Sequence, residues 1–399
     1  MTSVSRNTKR QSAGANSERT RQHNSKFVLS TLRHAQTQGD TAGRAEIARL
    51  SGLSIQAVSN IIADLEQRGL IRACGKRNQG RGQPAVQYEI CANGAYALGF
   101  EVRPDALFCT LLNLHGETMC QKRSALMRAT PDAVAQAMRE TKTTILAEPG
   151  LAHEKILGAG IVMPGPFGTT GISGHDSELP GWQDIEITSW AEDLLNLPAL
   201  IENDANAAAM AERISGVTQG LQHYACLYFG AGLGLGVISN GQALHGARGN
   251  AGEIGHIRIA LPSGAQPLEA VLSRLALQDH LKSNSITADT SEDIAALFHA
   301  DCPALLEWLN LARIALCEAI NLIENLLDPS TIALCGAMPS ALLDALVKDL
   351  PLNPHSVAAR PERMLPRVIR GSSGPMTAAL GAAALVLNDA FTPQITTST

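Results

Sequence analysis

The chain has 399 residues, 45% of them hydrophobic and 17% charged, which is the composition of a soluble globular protein with two or three domains. Aromatic residues make up only 4%, so the core must rest on Leu, Ile, Val and Ala. The formal charge of −5 is unevenly spread: residues 1–90 hold 14 Lys and Arg against 6 Asp and Glu, a net of +8, and the remainder carries a net of −13. Such a split points to a nucleic-acid-binding segment joined to a segment that does not bind nucleic acid. The longest apolar run, residues 378–387, is too short to span a bilayer. Residues 1–20 are polar and basic, unlike a secretory signal. The 8 cysteines show no C-x-x-C pair, so scattered reduced thiols, a cytoplasmic location and no membrane association are expected.

In chain order, residues 1–22 are rich in Ser, Thr, Asn, Arg and Gln and read as a disordered basic arm. A compact unit, 23–90, follows. Phe27, Val28, Leu29 and Leu32 mark a first helix, and Ile47 and Leu50 anchor a second that starts near Arg44. Ser51-Gly52-Leu53-Ser54 is a tight turn in which Gly supplies a left-handed residue and Ser54 caps a third helix. That helix buries Val58, Ile61, Ile62 and Leu65 and stops at Gly69. Two short strands, 70–71 and 86–90, then flank a polar Gly-rich loop, 75–84, containing Arg81 and Gln83. This order is that of a helix-turn-helix with a basic wing. Gln56, Ser59 and Asn60 are the outward candidates for base edges, with Ser54 at the helix start. Arg44, Arg81 and Gln83 are candidates for the phosphates or the minor groove. A small helical domain serving protein contact is the alternative reading of this unit.

From about residue 95 the pattern alternates between strands and helices. Residues 97–101 and 107–114 read as one hairpin, 225–229 and 235–238 as a second around a Gly-rich turn, and 156–162 and 199–202 as further strands. Helices are placed at 131–147, 205–213, 305–327 and 376–387. The result is an α/β domain over 95–390 with a short tail, 391–399, and the paired hairpins hint at an internal duplication.

Three stretches carry chemistry: Glu202-Asn203-Asp204-Ala205-Asn206 after a strand, Gly230-Ala231-Gly232-Leu233-Gly234-Leu235-Gly236, and Gly252-Glu253-Ile254-Gly255-His256 with Glu269 beyond it. Together they offer carboxylates, an amide, an imidazole and close-approach backbone, the set that hydrogen-bonds the hydroxyls of a sugar.

On these motifs the chain resembles the ROK family of repressors, open reading frames and sugar kinases, and its repressor branch in particular. The resemblance runs from about residue 23 to residue 387 and includes Arg44-Ala45-Glu46-Ile47-Ala48, Met163-Pro164-Gly165-Pro166, Gly181-Trp182, Asp328-Pro329 and Gly381-Ala382-Ala383. It implies an actin-like ATPase (ribonuclease H-like) fold of two lobes with a sugar cleft between them. It also implies that Asp204 stands where family kinases keep the base that deprotonates the sugar. Asn203, Glu253, His256 and Glu269 match positions that bind the other hydroxyls.

The chain departs from the kinases at two places. Where they carry Asp-x-Gly-Gly-Thr to cradle phosphates, this chain has Glu101-Val102-Arg103-Pro104-Asp105, and Ala231 replaces a hydroxyl-bearing Thr. Proline lacks an N–H, arginine fills the space that Gly leaves open, and Asp105 repels phosphate. Many family members also carry a C-x-C-G-x-x-G-C zinc run before the residue matching Glu269, whereas here 257–268 has no cysteine. The expectation is therefore no structural zinc, no cofactor and no kinase activity. The sequence reads as a homodimeric or homotetrameric repressor of carbohydrate genes that binds double-stranded operator DNA and is controlled by a monosaccharide or sugar-phosphate effector. Two alternatives stay open: an active sugar kinase with a DNA-binding appendage, and a repressor controlled by docking a sugar-transport protein.

Overall fold

A computed structural model describes residues 5–77, 85–148, 151–165, 179–182, 185–230, 232–261 and 264–392. It divides into two compact units, one of Met1–Tyr96, Asn113–His115 and Leu387–Thr399, the other of Ala97–Leu112 and Gly116–Val386.

The first unit contains helix α1 (Ser5–Thr37), strand β1 (Ala42–Gly43), helices α2 (Arg44–Ser51) and α3 (Ile55–Gln67), and strands β2 (Ile71–Arg77) and β3 (Ala85–Ile90). The three strands form one sheet in the order β1-β3-β2. Val28 and Leu32 of α1, Ile47 of α2 and Val58, Ile62 and Leu65 of α3 are fully enclosed, so each helix turns one apolar stripe inward. Gly52 ends α2 at φ +68°, and the Ser54 hydroxyl accepts the Ala57 N–H at 3.2 Å to start α3. Helix α1 begins at Ser5 and so overlaps the arm expected over 1–22.

The second unit holds β4 (Tyr96–Arg103), β5 (Ala106–Asn113), β6 (Thr118–Ala125), α4 (Pro131–Leu146), β7 (Ile156–Val162), α5 (Ile187–Leu195), β8 (Ala199–Glu202) and α6 (Asp204–Ser215). There follow β9 (Tyr224–Phe229), β10 (Leu233–Ser239), β11 (Gln242–Ala243), β12 (Arg258–Leu261), β13 (Gly264–Pro267), α7 (Arg274–Ser283), α8 (Ser291–His299), α9 (Pro303–Leu327), β14 (Ile332–Gly336), α10 (Ser340–Val347), β15 (Val368–Ser373) and α11 (Thr377–Phe391). Two five-stranded sheets have the orders β6-β5-β4-β7-β8 and β11-β10-β9-β14-β15. Each places its first three strands as a meander and adds its last two on the far side of the first. The repeated topology is the duplication hinted at by the two hairpins.

Two helices cross between these sheets. Helix α6 leaves β8 of the first sheet but packs on β9 and β10 of the second, where Gly234 and Gly236 lie against Ala205 with no room for a Cβ. Helix α11 leaves β15 of the second sheet and lies against the first, where Gly99 meets Ala379 and Ala383, and Gly160 meets the Ala382 backbone. The helices touch each other at Gly381, whose missing Cβ would overlap the Ala207 carbonyl. Ala207, Ala208, Ala209, Ala378, Ala379, Ala382 and Ala383 are all fully buried along this crossing. Small residues are required because these contacts bring backbone against backbone or against an alanine Cβ.

At its far end α6 is tied down by Glu212, which is fully buried and accepts the backbone N–H groups of Val217 (2.9 Å) and Ser372. Replacing Gly381 with Ala forces the helices apart and should destabilise the protein by about 2–3 kcal/mol, the upper part of the overpacking range. Urea unfolding of the variant measures this, and a change under 0.5 kcal/mol (about the scatter of neutral substitutions) would show that the crossing can relax freely.

Candidate functional site

The candidate site of the second unit is assembled from segments that each end at a strand or helix terminus. Strand β8 delivers Glu202, Asn203 caps α6 by accepting the Asn206 N–H at 2.7 Å, and Asp204 is the first helical residue. Asp204 Oδ1 accepts the N–H of Ala205 at 2.9 Å. Its other oxygen lies over Gly230, where an added Cβ would stand 3.1 Å from Oδ2. The carboxyl keeps some solvent contact but is crowded by protein atoms. Burial, then the charges of Glu101 and Glu253, push its pKa up from 3.8 to about 7.

Glu253, His256 and Glu269 form a second group. Nδ1 of His256 lies 3.3 Å from Glu269 Oε1 and Nε2 lies 3.6 Å from Glu253 Oε2, so the imidazole stands between two carboxylates. Burial raises the Glu253 pKa, and the His256 charge opposes that rise. Glu269 sits over Gly232 and Gly255, and Gly165 leaves the space taken by Glu253 Oε1. The segment that lacks the zinc cysteines folds as the antiparallel β12–β13 hairpin. It is closed at its base by Leu268 N–H to Ile257 carbonyl at 2.9 Å, and so delivers Glu269 beside His256. The structure thus brings Asp204, Glu253, His256 and Glu269 together, next to buried Asn203, whose Oδ1 caps α6.

The stretch matching the first phosphate loop is occupied. Arg103 donates to Glu101 through Nε (2.6 Å) and Nη2 (2.9 Å), and Nη2 also reaches the Pro375 carbonyl at 2.6 Å. Its guanidinium covers the Phe108 ring at 4.2 Å. Glu101 is buried, and burial raises its pKa against the lowering effect of Arg103. Asp105 is exposed and pairs with Arg123 of β6 at 3.3 Å. Ala231 lies outside the described residues.

Sequence reasoning missed the pairing of buried Glu202 with His245 at 2.6 Å, which raises the His245 pKa. Its only signal was Glu202 as a carboxylate at a strand end. Among the described residues no group of three or more His, Cys, Asp and Glu side chains forms a metal-binding cluster. No helix of the described residues is long and apolar enough to cross a membrane.

In the first unit Arg44 is exposed and lies 5.3 Å from the Tyr88 ring centre. Gln56 and Asn60 are exposed and share a 3.2 Å hydrogen bond along α3. Ser59 is half-buried, one step from buried Val58 at the edge of the apolar stripe. Ser54 is exposed and caps α3. Arg81 and Gln83 lie outside the described residues. Ile55, 62% exposed as the first residue of α3, is an apolar group at the expected DNA face that sequence reasoning passed over.

Two five-stranded sheets of repeated topology, joined by crossing helices, form an actin-like ATPase fold. The ROK family model matches residues 98–389, and the chain belongs to the ROK family. A crystal structure of a ROK family transcriptional regulator, a homologue of the E. coli Mlc protein, superposes with a TM-score of 0.69 at 22% identity, covering 94% of this chain and 98% of that one. The xylose repressor of Bacillus spizizenii is 24% identical over 54% of this chain, and the match spans 56% of the repressor. The glucokinase of Halalkalibacterium halodurans is 31% identical over 54% of this chain and 70% of the enzyme.

The raised pKa of Asp204 has a consequence for stability. The folded protein holds this proton more tightly than the unfolded chain, so the contribution is full below pH 3.8 and is lost as pH rises to about 7. Asp204→Asn should therefore flatten the fall in stability between about pH 4 and 7 and make the variant more stable than wild type above it. Urea midpoints at pH 5 and pH 8 test this, and parallel losses in both proteins would mean that Asp204 ionises normally.

Proposed function

We propose that this chain is a sugar-responsive transcriptional repressor of carbohydrate genes: the helix-turn-helix unit binds operator DNA, and a sugar in the ROK cleft controls that binding without being phosphorylated. The observation that carries the reading is the combination in one chain of the grouped side chains of Asp204, Glu253, His256 and Glu269 with a Glu101–Arg103 ion pair at the stretch that resembles the first phosphate loop. Phosphoryl transfer needs open, preorganised donors around the phosphates. A guanidinium already bound to a buried carboxylate and to the Pro375 carbonyl leaves that place occupied. The xylose repressor and Mlc-like regulator among the relatives support the same reading.

DNA contact is assigned to Gln56 and Asn60 for base edges, to Ile55 for thymine methyl groups, and to Arg44 with the wing residues Arg81 and Gln83 for the backbone. Ser54 serves at the helix start and Ser59 at its flank. A homodimer or a dimer of dimers fits a two-fold operator with half-sites about one helical turn, or a multiple of it, apart. The sugar acts by binding one arrangement of the two lobes more tightly than the other.

A second reading, an active sugar kinase, is favoured by the glucokinase similarity and by Asp204, whose pKa of about 7 suits a general base. It requires sugar-dependent ATP turnover that disappears in Asp204→Asn.

An operator selected from random duplexes, followed by anisotropy titration with a panel of monosaccharides, tests the proposal. One sugar should weaken operator binding, with no ATP consumed. Glu253→Ala should abolish that response and keep operator affinity. Asn60→Ala or Gln56→Ala should lose about 1–3 kcal/mol of base discrimination, and Arg44→Ala should lower the salt slope by about 0.9 per lost phosphate contact. Retained induction in Glu253→Ala, or a sugar-dependent ATP turnover, would contradict the proposal.

A further inference from the structure

Glu202 closes β8, and its carboxylate is almost wholly enclosed, with 3% of the side chain exposed. Its Oε1 accepts the backbone N–H of Asn203 at 2.9 Å and Nδ2 of Asn206 at 3.1 Å. It thereby braces the first turn of α6, which Asp204 opens. Its Oε2 lies 2.6 Å from Nε2 of His245, a residue just past β11 whose side chain is 56% exposed.

The chain beyond His245 leads straight to Glu253. Leu244 donates its N–H to the Val237 carbonyl at 2.8 Å, and Ala251 donates to the His245 carbonyl at 3.1 Å, so 245–251 closes on itself. Gly252 then accepts the Leu235 N–H at 3.0 Å. At φ +95° it lies against the Leu235 carbonyl, where no Cβ fits, and Glu253 is the next residue. Strand β8 belongs to one five-stranded sheet, β10 and β11 to the other. The Glu202–His245 pair is therefore a side-chain tie between the segment that presents Asp204 and the segment that presents Glu253.

We propose that His245 is a positioning residue: by pairing with Glu202 it holds the Glu253 loop against the junction of β8 and α6, and so sets the spacing of Asp204 and Glu253 on which sugar binding depends. The inference rests on the effector reading above and adds a control to it, because the imidazolium makes the stronger tie. The hydrogen bond to Glu202 raises the His245 pKa, burial opposes the rise, and the Glu202 charge adds to it. The paired imidazole thus keeps its proton to higher pH than a free one. The charged tie is complete below the usual histidine value of about 6.5 and is reduced to a neutral hydrogen bond as pH rises through the raised value. Glu202, at the end of β8, is the group that acts on His245. Arg248 and Glu253 are the nearest charged residues along its own chain, and Asp204 opens the helix that Glu202 braces. Arginine in place of His245 would stay charged throughout, and the exposure of the position leaves room for it.

Calorimetric titration of the full chain at pH 6 and pH 9 tests this, with the monosaccharides of the operator assay, glucose and xylose among them, on wild type, His245→Gln and His245→Arg. Asp204 titrates in the same range, so wild type is read against His245→Arg, which keeps Asp204. The sugar that binds should bind these two proteins alike at pH 6, and His245→Arg about fivefold or more tightly than wild type at pH 9. His245→Gln should bind it about fivefold or more weakly than wild type at pH 6. Should His245→Gln fail to fold, the comparison of wild type with His245→Arg decides. Hydrogen exchange, corrected for the intrinsic rate, gives a readout without sugar. Protection of the Ala251 and Leu235 amides should fall from pH 6 to pH 9 in wild type, be low at both in His245→Gln, and hold steady in His245→Arg. Parallel affinity profiles in wild type and His245→Arg, wild-type affinity in His245→Gln, or protection that is the same in all three proteins overturns the inference and leaves the effector reading standing. The expected exchange pattern with no sugar bound overturns the effector reading, and the role given to His245 falls with it.

Discussion

The two-lobed domain depends on a contact that has no side chain on one face. Where α6 and α11 cross, Gly381 meets the Ala207 carbonyl, and the same helices reach their sheets through Gly99, Gly160, Gly234 and Gly236. Each helix begins at the end of one sheet and packs on the other, so the lobes are tied by exchanged elements. Backbone packing at this distance admits rotation about the crossing more readily than separation, because separation would open voids along a run of buried alanines. Asp204 opens one of these helices, and the Pro375 carbonyl held by Arg103 stands just before the other.

The cleft is electrostatically uneven. Glu101, Asp204 and Glu253 are all held above the ordinary carboxylate range, chiefly by burial, and Asp204 is further raised by its acidic neighbours. Only Glu101 has a full ion-pair partner, in Arg103. Desolvated carboxylates are costly, and hydrogen-bond donors brought close to them offset that cost. The Glu101–Arg103 pair fills the place where a phosphate loop would otherwise stay open.

What was legible in the sequence was local. The helix-turn-helix followed from Gly52, the Ser54 cap and the spacing of Val58, Ile61, Ile62 and Leu65, all within one stretch of chain. Asp204, Glu253, His256 and Glu269 were singled out by their motifs and by the family resemblance, and the repeated sheets were foreshadowed by two hairpins. What was not legible depends on partners distant in sequence. Strand β6 was missed because it is largely exposed and polar. The pairing of Glu202 with His245 and the reach of Arg103 to Pro375 are products of folding. Arg103 read from sequence as an obstruction, whereas the structure makes it one half of an ion pair.

The central claim is that sugar and operator are linked through this chain, and linkage must be reciprocal. The direct measurement is the affinity of the responding sugar for the free protein and for the protein saturated with operator duplex, both by calorimetry at one salt concentration. The account predicts binding weaker by about fivefold or more on the operator-bound protein, matching the factor by which the sugar weakens operator binding. Equal sugar affinity in the two states would show that the cleft and the DNA unit are uncoupled and would contradict the account.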